Sequence, residues 1–314
     1  MNPEAGVFSP FSNKTMLTPI LSLALAVLPG VSAQAHIIAL PGGAALTLPK
    51  EKGVSVQWLM PPSPTEAPEI PVSFAVDPHG AAWLVREHQI VFIPAKNALF
   101  KSDRPFQQAA WLPAGANLIR SGEVLGVFAF GGKKSEKGLP EIHLKPLTTI
   151  ALNPWVMAPA GRNSLYIAGY NPRKRLSQIC LLAPAAQGKR LKVLFRTSAQ
   201  ISDVAGDGRV AYFASGPSIW KLTAKGAKLV YARRRGDIRR LIYAPGAGLF
   251  FATDKSVGFA RDGDGFDFMQ APRPQIALAQ GELYVMLGGL SQGVLRIGGL
   301  SRFAGVIRAW RRKD

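Results

Sequence analysis

The chain has one cysteine, four histidines, and half as many acidic side chains as basic ones: 19 Asp and Glu against 38 Lys and Arg. With Cys180 alone, no intrachain disulfide can form. This cysteine sits in the apolar run Gln178-Ile-Cys-Leu-Leu182. There it reads as a small buried hydrophobe, because a nucleophilic thiol needs an accessible thiolate and a base. The histidines, His36, His79, His88 and His143, form no HxH or HxxxH pair, so no zinc site is expected. P-loop and Gly-x-Ser-x-Gly patterns are absent, so neither phosphate-cradle nor nucleophile-elbow chemistry is indicated and no cofactor is expected. No long segment beyond the N-terminus carries a 3.6-residue period, and 32 glycines and 25 prolines argue against a helical protein. A hydrophobic fraction of 47% excludes a disordered chain.

One long apolar run exists, at the N-terminus. Residues 16–35 hold an apolar stretch bounded by Pro29-Gly30 and end in Ala33-Gln34-Ala35. That is the layout of an export signal with a small-x-small cleavage site. The expectation is cleavage near Ala35, before His36, and a periplasmic or secreted product. An uncleaved anchor is the alternative, although the run is shorter than the roughly 20 residues that span a bilayer. Residues 36–70 then read as a closing strand (Gly53 to Met60) followed by a Pro-rich connector, and 71–314 as the folded domain.

What is abundant is a repeat. Segments beginning at Ile201, Ile238 and Ile276 each run apolar strand, Gly-containing turn, apolar strand, polar loop, third strand. Their spacing is roughly 40 residues, a period typical of propeller blades. Weaker copies begin near Val72, Leu118 and Val156, giving six units. Seven blades would follow if residues 36–70 supplied more than one strand. Val210-Ala-Tyr-Phe-Ala214, Leu249-Phe-Phe-Ala252 and Leu283-Tyr-Val-Met-Leu287 are almost wholly apolar. A sheet with one wet face would alternate, so these strands are read as buried on both faces. The expected fold is all-β: a six-bladed β-propeller of four-stranded antiparallel blades. A ring must close, and an unpaired outer strand is a sticky edge; the strand at 54–59 is therefore expected to complete the last blade.

Charge supplies the second signal, a net +19. In a four-stranded blade with strands a to d, the b–c and d–a connections emerge on one face and the a–b and c–d connections on the other. The repeat phasing assigns Arg86, His88, Lys133, Lys134, Arg173, Lys174 and Arg175 to b–c loops. It places Arg233, Arg234, Arg235 and Arg273 at d–a crossings, and Arg239 and Arg240 at the start of a strand a. The a–b turns receive Asp77, Glu123, Asp207 and Glu282. A basic face suits an acidic protein or an anionic envelope polymer, with arginine forks on phosphate or carboxylate. Peripheral contact with a membrane surface is a further expectation. Solvated loop charges without a ligand are the plainer reading. Nucleic acid is not expected, since the aromatics fall in core strands and the export signal points elsewhere.

The units resemble those of the six-bladed β-propeller group that includes NHL-type and TolB-like proteins; the likeness runs over about residues 54–310 and is architectural. The segment Phe259 to Phe268 is also similar to the Asp-box turn of sialidase-like repeats, with Phe where that turn has Trp. Its Asp262-Gly-Asp264 reads as a tight turn rather than a calcium loop, because the closing bidentate glutamate is missing. Members of these groups bind proteins, glycans or small molecules, and some are hydrolases or lyases. Two functions follow as expectations. The first is a non-catalytic exported scaffold that uses the basic face. The second is a hydrolase or lyase acting on a glycan or lactone in the central channel, where Asp203, Arg239 and Arg240 would converge.

Overall fold

The structure is a computed structural model that describes residues 35–39, 45–49, 53–64, 73–93, 99–101, 105–114, 116–134, 140–183, 191–288 and 291–305. The apolar N-terminal run and the basic tail from Arg308 to Lys313 lie outside these residues.

Six antiparallel blades form a ring. Their inner strands are Ser73–Val76, Gln108–Trp111, Trp155–Pro159, Asp203–Gly206, Arg240–Ala244 and Gln275–Ala279. Each inner strand contacts the next, and the sixth contacts the first, which closes the circle around an axis. Blades three and four are simple four-stranded meanders. Blades one and two share an eight-stranded sheet, because their outer strands pair at Glu141 and Lys101.

The sixth blade is completed from the other end of the chain. Ser55–Pro64 pairs antiparallel with Ser291–Gly298, setting Val56 opposite Ile297 and Trp58 opposite Leu295. Closure by the N-terminal strand is thus as expected, and the strand extends further than expected. Pro61, Pro62 and Pro64 belong to it, which an outermost strand tolerates because half its N–H groups face away from the sheet. A second hairpin, Ala35–Ala39 with Ala45–Pro49, pairs with the outer strand Asp264–Gln270 of blade five. It makes that sheet six-stranded.

The core lies between blades. Phe213, Phe250, Phe251 and Val285 are buried, as strands sandwiched between neighbouring sheets must be. Even and odd positions of one strand serve different interfaces: Ile179 packs with Phe213 of blade four, while Cys180 packs with Leu118 of blade two. Cys180 is fully buried, and burial pushes its thiol up to about 11 against the opposing pull of Arg196, so it is an inert packing residue. The a–b turns use aspartate as an internal acceptor. Asp77 Oδ1 takes the N–H groups of His79 and Ala81, and Asp207 Oδ1 takes those of Arg209 and Val210. Asp262 (φ 54°) and Gly263 (φ 95°) make a two-residue hairpin turn between the last two strands of blade five, the left-handed geometry such hairpins need.

The phasing of blade two differs from the sequence reading. Its inner strand is Gln108–Trp111, and the strand at Asn117–Ser121 is the second. Glu123 is therefore in a b–c turn. Lys133 and Lys134 end the third strand, Val124–Lys134, at the c–d connection on the opposite face. The pattern strand–Gly turn–strand is common to a–b and b–c hairpins, so it could not tell one from the other.

Candidate functional site at one end of the ring axis

Every inner strand begins at the b–c and d–a end of the ring, and polar side chains there grip the neighbouring blade. Gln108 donates from Nε2 to the carbonyl of Met157 (2.8 Å) and accepts from the Met157 N–H (2.9 Å), joining blade two to blade three. Asp203 holds the corresponding place in blade four. Its Oδ1 accepts from the N–H of Val204 (3.0 Å) and its Oδ2 from the N–H of Leu241 in blade five (2.8 Å). Ser202 helps by donating to the carbonyl of Ile238 (2.7 Å).

Asp203 is buried, with 5% of the residue exposed. Burial pushes its carboxyl up to about 6, partly offset by the positive charge of Arg240 and by the two N–H donors. Gln108 bridges with an amide because it meets one carbonyl and one N–H; Asp203 meets two N–H groups, which its two carboxylate oxygens satisfy at the cost of desolvating a charge.

Two guanidinium groups share this end of the axis. Arg120, in the second strand of blade two, donates to the carbonyls of Trp155 and Gly122 and lies 4.8 Å above the Trp155 ring. The indole Nε1 in turn donates to the Gly122 carbonyl (3.1 Å). Burial, and then the charge of Arg240, lower the pKa of Arg120. Blades two and five face each other across the six-membered ring, and the charge of Arg240 reaches Arg120 from the facing blade. The Arg240 side chain makes no hydrogen bond or ion pair among the described residues. The constellation is a buried carboxylate with the Arg240 charge acting on it, and a second guanidinium, Arg120, clamped in blade two.

Trp155 holds the clamp because Gly169 lets it. The two residues are direct cross-strand partners, and a Cβ on Gly169 would meet the Pro154 carbonyl at 2.4 Å and Trp155 Cβ at 2.6 Å. Gly169→Ala is expected to destabilise the fold by about 1–3 kcal/mol through overpacking, read as a lower midpoint in urea unfolding.

The other residues singled out by charge scatter. Arg173, Lys174, Arg175, Arg234, Arg235 and Arg273 are exposed on the b–c and d–a face, as is His88. Arg86 ends the second strand of blade one, half-buried. Arg239 does not join Arg240 at the axis; it pairs with Asp254 at 3.2 Å, more than half exposed. Arg233 turns inward, with its Nη2 2.6 Å from Asp267 Oδ2 and its guanidinium 5.2 Å from the Phe251 ring centroid. It fastens blade four to blade five. Lys133 and Lys134, as noted, belong to the other face.

No protein-family model and no curated protein matches the sequence. Solved structures do. A luciferin-regenerating enzyme aligns with 79% of this chain and 96% of its own, at 12% identity and TM-score 0.54. A gluconolactonase from Xanthomonas campestris aligns over 84% and 94%, at 10% and 0.53. A calcium-binding protein, regucalcin, from Agrobacterium tumefaciens aligns over 78% and 94%, at 14% and 0.53. At these identities the likeness establishes the fold. The expectation of a non-catalytic scaffold is corrected: the solved neighbours of this ring include enzymes, and the axis carries a perturbed carboxylate rather than cations alone.

A divalent cation does not fit this centre. Among the described residues no three His, Cys, Asp or Glu side chains gather, and the Asp203 carboxylate has the Arg240 guanidinium acting on it, whose field repels a cation.

Proposed function

We propose that the protein is a hydrolase that opens a lactone ring at the axial end marked by Asp203, Arg120 and Arg240. The observation that carries this reading is Asp203 itself: a buried carboxylate at the start of an inner strand, with the Arg240 charge acting on it and a pKa lifted to about 6. A general base works best when its pKa lies near the operating pH. Each Asp203 oxygen keeps a lone pair beyond its backbone donor.

In this scheme Asp203 removes a proton from water as the water oxygen attacks the lactone carbonyl carbon. The carbonyl oxygen becomes an oxyanion, stabilised by the free Arg240 and the clamped Arg120. The ring C–O bond then breaks, the leaving alkoxide takes the proton back from Asp203, and the product is a hydroxy acid. Arg240 also suits the product's carboxylate. The gluconolactonase neighbour supports the choice of ester class.

The test is a pH-stat assay with glucono-1,5-lactone and a panel of simple γ- and δ-lactones. The expected result is acid release above the spontaneous blank, declining as pH falls through about 6 and Asp203 becomes protonated. Rates equal to the blank for every lactone would overturn the reading.

A further inference from the structure

A second site lies between blades four and five, at the a–b and c–d end, away from the axial carboxylate. A groove of about 900 Å³ is bordered there by Tyr212, Tyr243, Lys221, Lys228, Leu229 and Arg261. Small-molecule sites fall in this size range and mix aromatic walls with a few polar groups.

The groove is built from one cross-strand row of blade four. Tyr212 is opposite Lys221, and Lys221 is opposite Lys228, so all three side chains share the face turned to blade five. The Tyr212 and Tyr243 rings stand 5.1 Å apart, and Lys221 Nζ lies 5.9 Å from the Tyr212 centroid. Neither lysine has an ion pair among the described residues. Arg261 is already engaged, donating to the carbonyls of Gly246 and Ala247 and pairing with Asp262. Among the described residues, Asp262 is the one carboxylate lining the groove. Two lysines directly opposite each other are mutually repulsive.

Blade six shows what the same row looks like when its cation serves structure. There Tyr284 is opposite Arg296, and Arg296 is opposite Gln57. Arg296 pairs with Glu282 at 3.5 Å and donates to Gln57 Oε1, while Tyr284 is fully buried. In blade four the partner positions are empty of acid, the tyrosine is half open, and Leu229 is 45% exposed.

We infer that this groove binds a small ring-bearing organic anion, with its acidic group held by Lys221 and Lys228 and its ring laid against Tyr212. A sugar acid and an aryl acid share that chemistry. The site is independent of the axial hydrolase reading.

Saturation-transfer NMR and calorimetry would test it with glucuronate, benzoate and their uncharged counterparts glucose and benzamide. At least one anion is expected to bind at least about tenfold more tightly than its neutral counterpart, a difference of about 1.4 kcal/mol. Binding of glucuronate alone identifies a sugar-acid site, and of benzoate alone an aryl-acid site. K221Q/K228Q is expected to lose at least about tenfold in affinity while retaining the wild-type melting temperature and lactone turnover. The exposed K228Q single variant, which leaves every described contact intact, should lose several-fold. Equal affinity for charged and neutral probes, an unchanged double variant, or no binding of any probe up to about 10 mM would each overturn the inference.

Discussion

Asp203→Asn lowers lactone turnover by at least about a hundredfold, the range expected when a general base is removed, and leaves the protein folded. Asparagine keeps an oxygen for the Leu241 N–H and brings no charge, while giving up the acceptor for the Val204 N–H. The stability effect has a definite sign. The folded-state pKa of Asp203 is raised from 3.8 to about 6 by burial, so the folded chain binds this proton more tightly than the unfolded chain. That advantage is full below the unfolded value and is lost as pH rises through about 6. It amounts to about 3 kcal/mol at 1.36 kcal/mol per unit. Above pH 7, relief from the buried charge offsets the lost Val204 acceptor, about 1–3 kcal/mol, and leaves Asp203→Asn close to the wild type in stability; toward pH 4 that relief disappears and the variant becomes the less stable. A purely structural Asp203 would give the stability pattern with turnover unchanged; chemical denaturation at two pH values, beside the kinetic assay, separates the cases.

That pairing of lost activity with retained stability above pH 7 is what a strained functional group produces. Arg120→Gln should behave differently. It removes a charge from the axis and also the contact with the Trp155 carbonyl and ring, so stability and turnover would fall together.

The ring was readable in the sequence because sandwiched blades leave a local trace. Val210 to Ala214 and Leu283 to Leu287 are apolar at consecutive positions since both faces of each strand are covered, and glycine marks their turns. Closure by Ser55–Pro64 was readable for a related reason: a propeller leaves one outer strand to be supplied from elsewhere. Blade two was misphased because the Asn117–Ser121 and Val124–Lys134 hairpin has the same local signature as an a–b pair. The same error hid Arg120. It reaches the axis from a second strand, held there by Trp155, and neither residue announces the other at a separation of 35 positions. Asp203 and Arg240 were visible as strand-a residues, but the burial that perturbs Asp203 comes from blade five and exists only in three dimensions. Arg233 looked like one third of an exposed arginine run. Its partner, Asp267, stands 34 positions away in the next blade, so nothing beside it in sequence distinguished it from Arg234 or Arg235.

Phe303→Ala should be the most damaging single truncation outside the axis. Phe303 follows the short 3₁₀ turn Leu300–Arg302 and is fully buried. Its ring centroid lies 4.9 Å from Phe268, 5.6 Å from Phe250, 5.8 Å from Phe259 and 6.4 Å from Phe266. The cluster joins three parts of the chain that are distant in sequence. Phe250 and Phe259 belong to blade five, Leu295 and Ile297 to blade six, and Leu46 to the N-terminal hairpin. Buried Phe→Ala changes cost about 3–5 kcal/mol, combining lost transfer energy with a cavity the surroundings cannot fill. Here the walls are strands pinned by ladder hydrogen bonds in two blades, which resists collapse and favours the upper end. The expected drop in melting temperature is on the order of 10 °C. Phe303→Leu keeps most of the volume and should cost less than about 1.5 kcal/mol. Calorimetry of the two variants distinguishes a true keystone from a peripheral cap: equal melting temperatures for Phe303→Ala and the wild type would mean that the C-terminal segment contributes nothing to holding blades five and six together.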